Sequence, residues 1–515
     1  MSKFWTIRDS RGVMRVEYLH PTIVSVSNNL LALWRRSLAE KKARTAVLDC
    51  RSNRPLSFGE LDRLANGWSS RIASASFARG DRIAVQLPNS ADFVAVFLAS
   101  LARGLVMVPI DSKLGGAETE AVLRQVGARG LIAKRGLQRK NPAAAPTSGD
   151  TPAGVVLLKL TSGSTGLPTG ILLTDSQLIA DARNICSTMD IRPDDLNFAA
   201  IPMSHSYGFD NLVLPLLIQG TPMAVIDELL PRAILEGIAA TRATVFPSVP
   251  VLLETLGQLP KPLPDVSSLR VVVSAGAPLT ATVYDQFRRQ FGIRIHQFYG
   301  SSECGGIAYD RQPPDEFVEG CVGTPMNNVT VDLVGDGRVR VRGANVASGY
   351  FPNSERDENA PGNGMFLTGD IGEFDPRGRL LLKGRIASFL NVAGRKVNPI
   401  EIEACIRRLP EVAHAAVIGV PDASRHEEVV AFLVLATGAS IRAERVLQHC
   451  RDHLAAWKVP RAVEFLEAFP VNERGKLDRA RLKESICSTG KRNDGRGKRG
   501  GGNCKTSLQP EPRRD

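Results

Sequence analysis

The sequence predicts an α/β protein made of a large layered region and a smaller α+β unit. Three observations point there. Helical and strand patterns alternate through the first 300 or so residues of the 515-residue chain. Beyond Gly320 the texture changes to short apolar runs separated by Gly, Asp and Asn. A third texture begins after Gly384-Arg385. Alternation of this kind builds a layered sheet, and short runs between turns build antiparallel strands.

The elements follow in order. Residues 56–72 read as a helix, with Leu61, Leu64 and Trp68 at i, i+3 and i+7. Residues 82–86 (RIAVQ) read as a buried strand. Residues 92–102 read as a helix stopped by Gly104, a good residue just past a helix end, and 105–110 as the next strand. The rhythm repeats at 220–225, 243–246 and 270–273. Residues 140–153, rich in Pro, Ala, Ser and Gly, read as a loop feeding a strand at 155–160. Runs at 329–334, 338–341 and 379–382 give the antiparallel β subdomain. After residue 385 come a helix at 399–409 with Pro near its start, strands at 415–420 and 429–435, and a helix at 444–454. The run KRNDGRGKRGGGN after Cys487 has no periodicity and reads as disordered.

Composition narrows the class. Hydrophobic residues are 43% and charged residues 23%, a globular balance. The net charge of +12 owes much to the tail, where Lys491, Arg492, Arg496, Lys498, Arg499, Lys505, Arg513 and Arg514 face Asp494, Glu511 and Asp515. No nucleic-acid partner is therefore expected. The eight cysteines have no C-x-x-C spacing, which argues against a zinc ribbon or a redox pair and suits a reducing compartment. The N-terminus lacks a signal-peptide core, and the apolar stretch 93–110 is broken by Arg103 and Gly104. No membrane insertion and a cytoplasmic location are expected.

The strongest local signal is Thr161-Ser162-Gly163-Ser164-Thr165-Gly166, directly after VVLLKL. Glycines allow close backbone approach to a ligand, and hydroxyls with N–H groups cradle phosphate oxygens. The same composition also fits an ordinary Ser/Gly loop, and it is not the lysine-bearing P-loop. Other motifs follow: IPMSHSYG at 201–208, SAGAPL at 274–279, YGSSE at 299–303, TGD at 368–370, GR at 384–385, AGRKVNPIEIE at 393–403 and ERGKLDR at 473–479.

Taken together, these motifs resemble the AMP-forming adenylating superfamily, which holds acyl- and aryl-CoA ligases, adenylation domains of peptide synthetases and firefly luciferases. The pattern is nearest to acyl-CoA synthetases, and the resemblance covers roughly residues 30 to 485. It implies an N-terminal ATP- and acyl-binding domain at 1–384, with layered α/β subdomains and a small β-barrel-like subdomain. A small mobile α+β lid domain would span 385–486, with a basic tail at 487–515. By the same resemblance, residues 161–166 hold phosphates, and Gly276 and Ala277 of SAGAPL and Gly300 and Ser301 of YGSSE belong to the cofactor-binding site. Glu303, with Thr161, would hold Mg²⁺, and Ser302 would touch the α-phosphate. Tyr299 would stack on adenine, and Gln297 would bond its amino group. Asp370 would take the ribose, Arg385 would contact the ribose or a phosphate, and His205 would line the acyl entrance. Gly394 and Arg395 lie in the segment 392–397 that would border the thiol channel. Lys476 would stabilise the adenylation transition state.

The chain departs from the family pattern at Thr169, where lysine is usual, at Ser388, where an acidic residue is usual, and at His426, where glycine is usual. Tyr207 stands where peptide-synthetase domains carry the aspartate that holds an α-ammonium. A buried ammonium without a counter-charge is costly, so an aryl or fatty acid is expected rather than an amino acid. Gly276, Ala277, Gly305 and Gly306 suggest a roomy pocket. The expected reaction is ATP-dependent activation of a small-molecule carboxylic acid, fatty or aryl, then transfer to CoA. Transfer to an acyl carrier protein is one alternative, and a non-catalytic acyl-AMP binder is another. A monomer or homodimer fits either.

Overall fold

The structure, a computed structural model, describes residues 4–8, 14–18, 29–140, 152–161, 169–226, 230–311, 317–335, 337–352, 360–386, 390–392, 395–422, 426–471, 477–479 and 481–483. The chain divides into two compact units, Met1–Phe389 and Leu390–Asp515.

The first unit holds two sheets. In the smaller, of 7 strands among the described residues, Gly130–Ala133, Arg82–Gln86, Val106–Pro109 and Val155–Thr161 run parallel. Thr169–Thr174 and Gly349–Phe351 extend one edge antiparallel. The larger sheet has 15 strands among the described residues. Its parallel half includes Thr45–Asp49, Met223–Val225, Asn197–Ala199, Val245–Ser248, Val271–Ser274 and Ile295–Ser301. The short antiparallel runs of the sequence form the other arm of this same sheet. They join it through Ile295–Ser301, which pairs antiparallel with Gly305–Tyr309. At the far end, Phe4–Arg8 and Met14–Tyr18 add two strands with no counterpart in the sequence reading, the second pairing with Thr330–Val334.

Helices fill the space between the sheets. One apolar cluster contains Ile83, Met107 and Leu157 of the small sheet, Val47, Ala199 and Met223 of the large one, and Trp34, Leu61, Phe97 and Leu212 from helices. The helix Phe58–Ser74 starts later than its apolar pattern suggested, because Ser57 caps it. The Ser57 Oγ accepts the Glu60 N–H at 3.2 Å, and the Glu60 carboxylate accepts the Ser57 N–H at 2.8 Å. That reciprocal capping box satisfies two orphan donors and leaves Leu56 to the preceding strand, Arg54–Ser57. The helix Ala91–Arg103 ends at Gly104, whose φ of 65° is left-handed. Trp68 Nε1 donates to Asp92 at 2.7 Å and ties the two helices together.

The second unit has a 5-stranded sheet among the described residues, built on the Val412–Asp422/His426–Leu435 antiparallel pair. The helices Pro399–Ile406 and Ala443–His453 pack with it around Ile402, Ile406, Val417, Leu433 and Val446. No helix of the described residues is long and apolar enough to cross a membrane.

Candidate active site

Several candidate residues of the first unit lie where its parallel strands end. That is the edge at which open α/β sheets bind ligands, because strand ends release loops there. Ile295–Ser301 carries Gln297 and Tyr299 and delivers Ser302 and Glu303. Val271–Ser274 leads to Gly276, and Val155–Thr161 ends on Thr161.

Asp370 is the organising group. It lies on the strand Met365–Phe374, opposite Arg385 in register, and it is buried. Its Oδ2 accepts the Tyr299 hydroxyl at 2.6 Å, and its Oδ1 accepts Arg385 Nε at 2.7 Å. Its backbone N–H donates to Thr368 Oγ1 at 3.1 Å. Burial, then the adjacent Asp370 charge, holds the Tyr299 phenol well above its ordinary range, so it stays a donor. Asp370 also raises the Arg385 guanidinium, which feels the charge of Glu303 as well. Residues 299, 303, 370 and 385, from three separate motifs, thus form one electrostatic group.

Glu303 is half-buried, with Oε1 accepting the Tyr350 hydroxyl at 3.1 Å. Thr161 Oγ1 donates to the Thr169 carbonyl at 3.3 Å, which leaves its oxygen lone pairs to accept. A carboxylate and a hydroxyl oxygen suit a hard cation such as Mg²⁺. Ser302 Oγ accepts the Ser206 hydroxyl at 2.6 Å. The Gln297 amide nitrogen is committed to the Cys321 carbonyl at 2.6 Å, so any adenine contact through this side chain falls to its oxygen. Gly276 has a φ of +83° and is exposed beside Ala277. Gly300 allows a close approach, since a Cβ there would sit 2.6 Å from the Gly305 carbonyl oxygen. Ser301 Oγ lies 3.1 Å from the Cys304 sulfur.

His205 Nε2 is 3.4 Å from Asp111, and that contact is the main reason the Asp111 carboxyl lies below its usual range. Tyr207 stacks on Phe298 with ring centroids 5.6 Å apart, and its hydroxyl donates to the Val273 carbonyl at 3.4 Å.

Residues 162–166, Gly394, Lys476, Ser388 and the tail 487–515 lie outside the described residues, as does the Arg395 side chain.

One expectation needs correction. Gly305 and Gly306 do not open a pocket. Added Cβ atoms would collide with the Asp181 carboxyl at Gly305 and with the Met326 sulfur at Gly306. The glycines instead admit Asp181, whose Oδ1 accepts the Gly306 N–H at 2.8 Å.

Asp181 belongs to a buried charge cluster that sequence reading missed. Lys159 Nζ sits 2.6 and 2.7 Å from the two Asp210 oxygens, with both side chains 4% exposed. Asp210 rides on a π-helical turn, Phe209–Val213, just after the His205 motif, and Asp181 on the helix Asp175–Met189. Burial pushes the Asp181 carboxyl up to about 8, and the Asp210 charge adds to this against the pull of Lys159. Asp210 is itself raised by burial, with Lys159 opposing. A lysine inside the apolar run VVLLKL and an aspartate inside GFDNLVLPLL were the available signals.

A pH prediction follows from Asp181. Its folded value of about 8 exceeds the ordinary 3.8, so its protonated form contributes stability at low pH. That contribution declines as pH rises from the ordinary value through the folded one. Asp181→Asn, a neutral isostere, is expected to flatten this slope and to leave the variant more stable than wild type above that window. Chemical denaturation midpoints across the range check it. Parallel slopes for the two proteins would count against a protonated Asp181.

Residues 34–351 match the family of AMP-binding enzymes, and residues 401–476 match the C-terminal domain of those enzymes. The chain is 28% identical over 505 residues to a probable CoA ligase of Humulus lupulus, covering 88% of this chain and 96% of that one. It is 29% identical over 456 residues to a feruloyl-CoA synthase of an Amycolatopsis species, covering 82% and 92%. Among solved structures, ATP-bound MatB from Rhodopseudomonas palustris superposes with a TM-score of 0.77 at 25% identity, covering 90% of this chain and 100% of that one. With residues of three motifs, 299–303, 368–370 and 384–385, meeting at Asp370 and both of the family's domains matched in order, the chain belongs to the AMP-binding, adenylate-forming enzymes.

Proposed function

We propose that this protein is an ATP-dependent acid–thiol ligase that activates an aryl or fatty carboxylic acid as its acyl-adenylate and transfers the acyl group to coenzyme A. The observation that carries it is the Asp370 carboxylate, fixed between Tyr299 and Arg385 beside Glu303. Two carboxylate oxygens suit the two ribose hydroxyls, and the neighbouring Arg385 favours an anion. In the first half-reaction a substrate carboxylate oxygen bonds to the α-phosphorus of ATP and pyrophosphate leaves. In the second, the thiolate sulfur bonds to the acyl carbon and AMP leaves.

Glu303 and Thr161 would hold Mg²⁺, which when bound neutralises the triphosphate. Tyr299 and Arg385 orient Asp370, and Ser206 orients the Ser302 hydroxyl toward the α-phosphate. Lys476 stabilises the charge that builds during adenylation, and the segment 392–397, with Gly394 and Arg395, borders the thiol. The mobile lid at 385–486, turning at a hinge beside Ser388, separates the two steps.

Tyr207 supports the substrate class. Its ring is stacked and its hydroxyl faces a carbonyl, so the position offers no negative charge to an α-ammonium. CoA is the preferred acceptor because feruloyl-CoA synthase and the probable CoA ligase are named for it. An acyl carrier protein is the alternative. ATP–pyrophosphate exchange with a panel of aryl, fatty and amino acids, followed by thioester detection with CoA or carrier protein, tests the proposal. Exchange only with amino acids, or none with any acid, would defeat it.

Thr169 makes a narrower prediction. It pairs with Thr161 at the edge of the phosphate loop, where a lysine would add a point charge near the pyrophosphate. Thr169→Lys is expected to lower the KM for ATP with little change in kcat, since the charge acts on ground and transition states alike. Steady-state kinetics with ATP varied and acid saturating decide it, and an unchanged or higher KM would refute it.

A further inference from the structure

The C-terminal unit carries a cluster of metal-ligating side chains that uses none of the residues assigned a role above, although Cys405 follows the 393–403 motif by two residues. Cys405 lies near the end of the helix Pro399–Ile406, and His449 and His453 lie on the helix Ala443–His453. The i, i+4 spacing of the two histidines puts them on one face, with ring centroids 4.3 Å apart. One ligand atom from each of Cys405, His449 and His453 falls within 4.8 Å of the others.

The second partners of the rings sharpen this. His449 Nε2 is 3.1 Å from the Cys405 carbonyl oxygen, and His453 Nδ1 is 2.8 Å from the His449 carbonyl oxygen. A carbonyl only accepts, so those two nitrogens carry the protons. The lone pairs then fall on His449 Nδ1 and His453 Nε2. A ring N–H anchored on a backbone carbonyl is the usual support of a metal-binding histidine, because it fixes both tautomer and orientation. Burial grades outward from Cys405, which is 4% exposed, through half-buried His449 to exposed His453. An ion therefore has a way in and a solvent-facing position left for a fourth ligand.

We propose that Cys405, His449 and His453 form a binding site for a thiophilic divalent transition metal, Zn²⁺ in the first instance, that clips the two helices of the C-terminal unit together. One sulfur and two imidazoles match zinc and disfavour Mg²⁺ or Ca²⁺, which require oxygen. Tetrahedral zinc wants its ligand atoms about 3.4 Å apart, so the cluster closes by a modest side-chain rotation toward the ion.

The test is titration of the full chain with Co²⁺ and Zn²⁺. Expected are one tight equivalent per chain, a sulfur-to-cobalt charge-transfer band in the near ultraviolet that Zn²⁺ abolishes, and a higher Tm with Zn²⁺. Cys405→Ser should remove the band. His453→Gln, at an exposed position where folding is not at stake, should weaken binding tenfold or more without changing the metal-free Tm. A band that survives Cys405→Ser, an affinity indifferent to His453→Gln, or the absence of any tight equivalent in the wild type overturns the site. None of these readouts depends on ligase activity.

Discussion

Lys476→Ala is expected to slow adenylate formation by about 10²–10³-fold, the effect of removing one preorganised donor from a developing oxyanion, roughly 3–4 kcal/mol. Thioester formation from pre-made acyl-AMP is expected to be largely spared. In the role proposed for Lys476, the charge it meets builds on the α-phosphate only while pyrophosphate departs, and the second half-reaction has no pentacoordinate phosphorus to stabilise. The two steps can be read separately, by ATP–pyrophosphate exchange and by single-turnover thiolysis of synthetic acyl-adenylate. Equal losses in both would contradict the role proposed for Lys476 and suggest damage to the C-terminal unit as a whole. Retained exchange would pass the role to another cation, with Arg385 beside Asp370 the first candidate.

How much of this was legible in the chain depended on whether the deciding contact was local. Ser57 and Glu60, three residues apart, and Gly104 at a helix end are signals whose physics is complete within one turn. The roles of Tyr299, Asp370 and Arg385 were expected from short motifs, and the fold brings those three together because Asp370 and Arg385 sit on adjacent strands in register. The continuity of the parallel and antiparallel halves in one sheet was hidden, since pairing between Ile295–Ser301 and Gly305–Tyr309 leaves no compositional mark. The Tyr350 hydroxyl on Glu303 comes from 47 residues away. Gly305 and Gly306 misled because a glycine read in sequence shows only a missing side chain. Here the space belongs to Asp181, 125 residues earlier than its partner Gly306.

Lys159→Met is expected to cost about 3–5 kcal/mol of stability, the usual penalty for breaking a buried ion pair from one side. Lys159 and Asp210 are both buried. The lysine touches both carboxylate oxygens and opposes the upward shifts of both Asp210 and Asp181. Without it, two carboxyls share one dry site, and each must be neutral or pay for its charge. The loss should therefore be larger at pH ~8 than at pH ~6, because protonation relieves the pair as pH falls. Lys159→Met combined with Asp210→Asn removes the orphaned charge and is expected to recover much of the loss, since a buried pair replaced as a unit is often close to neutral. Denaturation midpoints of the two single variants and the double variant, closed as a cycle, measure the coupling. A single variant within about 1 kcal/mol of wild type, or a double variant no better than Lys159→Met, would mean that Asp210 is neutralised by something other than Lys159. Strand Val155–Thr161 carries Lys159 two residues before Thr161, so the same variants should also raise the KM for ATP if this pair holds the phosphate loop in place.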